Sequence, residues 1–202
     1  MTYPTNVRKL IAAVFLNSFR PVAFTVVALI LISPTIQSPG QSSGSVVSQS
    51  SHRRAANGLV PIQARKHAAD LSVTDIAGNR IALSQYRGKV VLLDFWAVDC
   101  GLCVIEIPWW VQFDKRYHDK GLQLIGLDVA GESPSYIKSF MQKSQMNYPV
   151  ALGNDDIQKR FQVEGLPKTI LIDRQGRVAV SHAGIVDRDA FARDIEELLR
   201  EQ

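Results

Sequence analysis

Residues 90–96 read Val-Val-Leu-Leu-Asp-Phe-Trp, an apolar run with a single acid set into it. A short run of this kind, without alternation, predicts a strand buried on both faces. Residues 122–129 (LQLIGLDV) predict a second such strand. Residues 168–173 and 177–182 predict two more, joined by a tight turn at Arg174, Gln175 and Gly176. The chain opens its ordered part with a hairpin-like pattern, residues 71–75 and 81–83 around the turn 77–80. Residues 84–88 predict a short turn, and residues 148–152 a short extended piece.

Helical patterns alternate with these strands. Residues 100–120 predict a helix with Val104, Ile107 and Val111 on one face, Gly121 as its stop and a kink at Pro108. Ser133-Pro134 starts a helix running to about residue 146, with Pro at the first position. A short helix follows at 155–161. Asp187 caps an amphipathic helix to residue 201, turning Phe191, Ile195, Leu198 and Leu199 inward. The order predicts an α/β fold, a central mixed β-sheet flanked by helices, with its site at the carboxyl end of the central strand.

Before this domain the pattern changes. Residues 1–36 carry a positive flank (Arg8, Lys9, Arg20) and a twelve-residue uncharged apolar core at 21–32. That length suits an export signal and is short for a bilayer span, which needs about 20 residues. Ser33-Pro34-Thr35 is a poor cleavage site, so a cleaved signal peptide and an uncleaved signal anchor both remain open. In either case the positive flank stays in the cytoplasm and the remainder is exported. Residues 37–61 are rich in Ser, Gln and Gly and read as a flexible linker, with the folded domain at 62–202.

Charge follows the same division. The net charge of +4 invites a nucleic-acid reading. Seven of the 23 basic residues, however, lie in residues 1–66, which hold no Asp or Glu; residues 67–202 carry 16 basic and 19 acidic residues, a net of −3. The basicity belongs to leader and linker, and nucleic acid is not an expected partner.

Both cysteines of the chain, Cys100 and Cys103, stand at the end of the central strand with Gly101 and Leu102 between them. Only a thiolate attacks a disulfide, and a helix N-terminus lowers a thiol pKa through its unpaired amides and dipole. Cys100 therefore fits the attacking thiol, and Cys103, one turn inside, the resolving one. A zinc site needs about four ligands, and His67, His118 and His182 have no companion spacing. Covalent haem attachment needs His after the second cysteine, where Val104 stands. A static disulfide across so short a loop would stabilise little. Thiol–disulfide exchange is the expected chemistry, with no cofactor beyond the Cys100–Cys103 disulfide itself.

Four stretches, in this order, resemble the thioredoxin fold and, within it, the TlpA/ResA-type thiol–disulfide oxidoreductases. They are residues 88–97, the cysteine pair, Glu106-Ile107-Pro108, and residues 165–173 (GLPKTILID). The resemblance covers residues 65–200, and residues 128–153 correspond to the strand-helix insert of this group. It implies that Pro167 is the cis-proline beside the disulfide, presenting the Leu166 backbone to a bound substrate chain. It implies that Asp94 is the buried acid that moves the Cys103 proton, its pKa raised by burial, and that Glu106 is the active-site glutamate. Trp96, Asp99, Leu166, Pro167 and Lys168 are the expected substrate-contacting residues.

Two departures stand out. Asp99 replaces the family's usual Trp before the first cysteine, and a carboxylate there should raise the Cys100 pKa. Lys168 follows Pro167 where Thr is common, and its charge is expected to offset Asp99. The resulting expectation is an exported enzyme, periplasmic or membrane-anchored, that reduces protein disulfides. Its partners would be protein disulfides or dithiols and a membrane-bound electron donor, with cytochrome c maturation one use. The alternatives are a peroxiredoxin-like peroxidase and a non-catalytic binding module. The peroxidase would have Thr or Ser three residues before its cysteine, where this chain has Ala97. The intact cysteine pair disfavours the binding module.

Overall fold

The computed structural model describes residues 58–201 of the chain. The leader and nearly all of the linker expected from the sequence lie outside the described residues. Strand β3 (Val90–Trp96) is buried at every position and forms the middle of a five-stranded sheet. The other strands are β4 (Leu122–Asp128), β5 (Val150–Leu152), β6 (Lys168–Ile172) and β7 (Val178–Ala183). Their order is β5-β4-β3-β6-β7, with β3, β4 and β5 parallel and β6 and β7 antiparallel to their neighbours. The sheet is therefore mixed, as the sequence predicts. Strands β1 (Ser72–Thr74) and β2 (Arg80–Ala82) form the separate opening hairpin.

The uninterrupted burial of β3 resolves into two faces because side chains alternate along a strand. Val90, Leu92 and Trp96 join a core with helix α1 (Gly101–Tyr117), helix α2 (Pro134–Lys143) and helix α4 (Arg188–Arg200). Val91, Leu93 and Phe95 join a second core with the hairpin and helix α3 (Asp155–Arg160). Asp94 has the parity of Leu92 and Trp96, so this one acid points into the layer beneath α1. Sheet register carries that layer sideways, since Asp94 pairs with Gly126 of β4 and with Thr169 of β6.

Helix α1 departs from the expected face. Its buried stripe runs Cys103, Glu106, Ile107, Trp110, Asp114 and Tyr117. These positions follow the three- and four-residue steps of one helix face, so Val104, a single step from Cys103, turns outward and is 40% exposed. Ile107 and Val111 are buried as expected. The helix continues through Pro108 and tightens into a 3-10 turn (His118–Lys120) before Gly121 stops it at φ 103°. Helix α2 is shorter than its pattern suggests, ending at Lys143, and Gln145 turns away at φ 55°.

Val60, expected in the linker, and Arg65, whose charge is counted with leader and linker, both bond to the domain. Val60 donates its backbone N–H to Ala179 O at 2.8 Å. Arg65 is buried, bonding Val60 O through Nε and reaching both Asp173 and Glu201 with its guanidinium. Its charge is a structural tie between the start and the end of the domain rather than part of a cationic tail.

Candidate active site

At its carboxyl end β3 runs into Ala97, Val98 and Asp99, and α1 begins at once. Cys100 is the N-cap of α1, in extended backbone, and its Sγ accepts the N–H of Cys103 at 3.3 Å. The fold thus places this sulfur where the unpaired amides of a helix start converge, which favours a thiolate there. Cys100 and Cys103 form a disulfide with Cα atoms 5.3 Å apart. The two sulfurs are unequal in access: Cys100 is half-buried, while Cys103 is 1% exposed. An incoming disulfide can reach the first and not the second.

Two acids lie under this pair. Asp94 is fully buried, and burial, reinforced by the nearby Glu106 charge, holds its carboxyl well above the ordinary range. Glu106 is one turn beyond Cys103 on the same buried stripe and is inaccessible. Burial lifts its pKa to about 7, against a smaller lowering by the Val186 N–H, which donates to Glu106 Oε1 at 2.7 Å. A solvated helix residue would behave differently; this is an acid poised to take or release a proton near neutrality.

The loop after β7 closes the other side. Gly184 donates its N–H to Pro167 O at 2.8 Å, and two residues later Val186 bonds Glu106. The Leu166–Pro167 peptide is cis, as the resemblance implies. Leu166 is half-buried and Pro167 buried at the start of β6. The structure therefore links Glu106 on α1 to Pro167 at the head of β6 through residues 184–186.

Trp96, expected to touch substrate, lies apart from the site's surface. Trp96 is wholly buried, with its ring stacked on Phe140 at 5.3 Å between centroids. It is a core residue beneath the site, because its parity on β3 turns it under α1 rather than out to a substrate. Lys168 and Asp99 form no ion pair among the described residues. Lys168 is in register with Phe95, so alternation assigns it to the sheet face opposite α1. Asp99 is exposed beside Cys100. Sequence reasoning did not single out Val186, Thr169 or Tyr148, which line the same layer; none carries a motif, and only their register or loop contacts reveal them. Among the described residues no group of three or more His, Cys, Asp or Glu is arranged to hold a metal ion.

Known proteins resemble this chain in sequence and in fold. Residues 64–181 match the AhpC/TSA family. The chain is 36% identical over 114 residues to the thiol-disulfide oxidoreductase ResA of Bacillus thuringiensis subsp. konkukian, covering 56% of this chain and 65% of that protein. It is 30% identical over 132 residues to ResA of Geobacillus kaustophilus, covering 65% of this chain and 75% of that one. Among solved structures it is similar to a DsbE-like thiol:disulfide interchange protein of Chlorobium tepidum. That match has TM-score 0.63 and 30% identity, and covers 67% of this chain and 96% of the other.

Proposed function

The chain belongs to the AhpC/TSA family and to the ResA-like thiol–disulfide oxidoreductases of thioredoxin fold, and from that premise we propose that it reduces protein disulfides through a Cys100/Cys103 dithiol–disulfide cycle. The observation that carries the reading is the unequal access of the two sulfurs. Cys100 is reachable at a helix start, and Cys103 is buried on the face of α1 that also carries Glu106.

In the reduced enzyme the Cys100 thiolate attacks one sulfur of a substrate disulfide. The substrate S–S bond breaks, a mixed disulfide forms, and the leaving sulfur takes up a proton. Asp94, as its carboxylate, removes the proton of Cys103. The Cys103 thiolate then attacks the Cys100 sulfur, the mixed-disulfide bond breaks, and the departing substrate sulfur takes the proton held by Asp94, which frees the substrate as a dithiol and leaves the Cys100–Cys103 disulfide. Two electrons from a membrane-bound donor, with two protons from solvent, return the pair to the dithiol. Glu106, with a pKa of about 7, exchanges the proton with the site between turnovers. Leu166, Pro167 and the exposed Asp99 are the substrate-facing residues, and Lys168 stands beyond them on the other sheet face.

Residues 1–36 serve for export, and the domain works outside the cytoplasm, held near the membrane if the apolar segment is retained. An envelope role such as cytochrome c maturation suits a reductase of this group. Among the described residues no helix is long and apolar enough to cross a membrane.

The AhpC/TSA match keeps a peroxidase in view, but Ala97 offers no hydroxyl three residues before Cys100. Insulin reduction measured beside hydrogen peroxide turnover separates the two. Insulin reduction that disappears in Cys100→Ser, without peroxide turnover, supports the proposal; the reverse pattern overturns it. The direction of electron flow is read from the equilibrium potential of the pair. A value near about −270 mV, as for thioredoxin, supports a reductase, and one near about −120 mV does not.

A further inference from the structure

The layer between the sheet and α1 contains more buried polarity than the two acids. Tyr148 is 3% exposed, and its hydroxyl has no hydrogen-bond partner among the described residues. Asp94 Oδ1 and Glu106 Oε2 share that condition. Buried polar atoms without partners are rare, and several in one layer call for a common explanation.

Gly126 shows how they come together. It is the strand neighbour of Asp94, and paired residues of adjacent strands, about 4.8 Å apart, project to the same face. A Cβ at Gly126 would lie 3.3 Å from Tyr148 Cε2 and 3.2 Å from Trp96 Nε1. The space a side chain would take is shared by Val150 Cγ2, at 3.1 Å, the Trp96 indole edge and the Tyr148 ring edge, so that ring edge lies at the strand beside Asp94.

We infer that Tyr148 is a positioning residue for the reaction, its hydroxyl donating a hydrogen bond to the Asp94 carboxylate as that group takes the proton of Cys103. Burial first, and then the charges of Asp94, Asp114 and Glu106, keep the phenol protonated, so it acts as a donor and never as a base. Those three are the titratable groups that face it, Asp94 from β3 and the other two from α1. Asp114 is already engaged, accepting from Asn147 Nδ2 at 2.8 Å and lying 3.4 Å from His118 Nδ1. Asp94 Oδ1 and Glu106 Oε2 are the two unpartnered oxygens, and Asp94 is the one whose strand neighbour is Gly126, where the Tyr148 ring edge lies. A donor to the charged form of an acid lowers its pKa, so Tyr148 opposes part of what burial does to Asp94 and keeps it usable as a base.

The inference rests on the proposed dithiol cycle, and its test does not depend on turnover. In oxidised protein with carbon-13-labelled aspartate, Tyr148→Phe keeps the ring and its packing but removes the hydroxyl. The carboxyl titration midpoint of Asp94 is expected to rise by about half a pH unit or more. Gly126→Ala, which crowds the ring, should shift it the same way, and the double variant no further than Tyr148→Phe alone. In reduced protein the acid limb of the pH–rate profile should move upward by the same amount. An Asp94 midpoint that is unchanged or lower in Tyr148→Phe overturns the inference. Absence of disulfide exchange in the wild type would instead overturn the proposed function and leave the titration result standing.

Discussion

Val186 donates its backbone N–H to Glu106 Oε1 at 2.7 Å across 80 residues of sequence, so the acid beneath the disulfide is also a tie to the loop that holds Pro167. The two roles separate by pH. Glu106 rises from an ordinary 4.5 to about 7 on folding, so the folded chain keeps a proton that the unfolded chain releases. Stability from this group is fully present below about pH 4.5 and falls as pH rises toward 7. Glu106→Gln retains an oxygen for Val186 and removes the titration. Relative to wild type it should gain about 2–3 kcal/mol between pH 4 and pH 8. Urea denaturation of the oxidised proteins at the two pH values measures this, and an equal gap at both would refute it.

Arg65 offers a different linkage. Its guanidinium lies between Asp173 and Glu201, and Asp173 also accepts Arg177 Nε at 2.8 Å. Burial alone would raise the Asp173 carboxyl. Hydrogen bonds from the Arg177 backbone and from the Arg65 and Arg177 side chains outweigh it and hold the group below its ordinary 3.8. Arg65→Ala leaves a buried carboxylate short of a partner and should cost about 3 kcal/mol at pH 7. Because Asp173 is held low, the wild-type advantage is present above about pH 4 and shrinks as pH falls below it. Thermal unfolding across pH 2 to 7 tests both the size and the narrowing of the gap.

The residues whose meaning was legible in advance are those fixed by local chemistry. Strand β3, the cysteine pair, the cap at Asp187 and the turn at Gly176 announce themselves through runs, spacing and turn residues. The family resemblance carried Pro167, Asp94 and Glu106, which no local pattern distinguishes. What stayed hidden depends on which strands become neighbours. Gly126 beside Asp94 and Lys168 opposite Phe95 are consequences of sheet register, set by contacts between segments far apart in sequence. Arg65 was hidden for the same reason, since its partners come from the last third of the chain.

Trp96 shows the practical difference between the two kinds of knowledge. Adjacent to the site in sequence, it is expected on that ground to touch substrate, whereas its side chain is enclosed against Phe140. Trp96→Ala should therefore cost about 3–5 kcal/mol of stability. Trp96→Phe, which keeps a ring in place, should leave KM for insulin unchanged at a temperature where it is fully folded. A several-fold rise in KM in that variant would return Trp96 to the substrate surface.

Asp99 is the exposed carboxylate next to Cys100, and among the described residues it forms no ion pair, Lys168 being assigned to the other face. The two substitutions should accordingly behave differently. In reduced protein Asp99→Asn should lower the Cys100 pKa by a few tenths of a unit to about one unit, because a like charge beside a forming thiolate opposes it. An exposed charge is screened, so the effect should diminish between about 0.01 M and 1 M salt as the Debye length falls from about 30 Å to about 3 Å. Lys168→Ala should leave the Cys100 pKa where it is, at either salt concentration. Thiolate absorbance followed against pH, with Cys103→Ser as background so that one thiol titrates, measures all of these. A rise in the Cys100 pKa on removing Lys168 would show that its charge does reach the site, and the assignment of that side chain to the far face would fail.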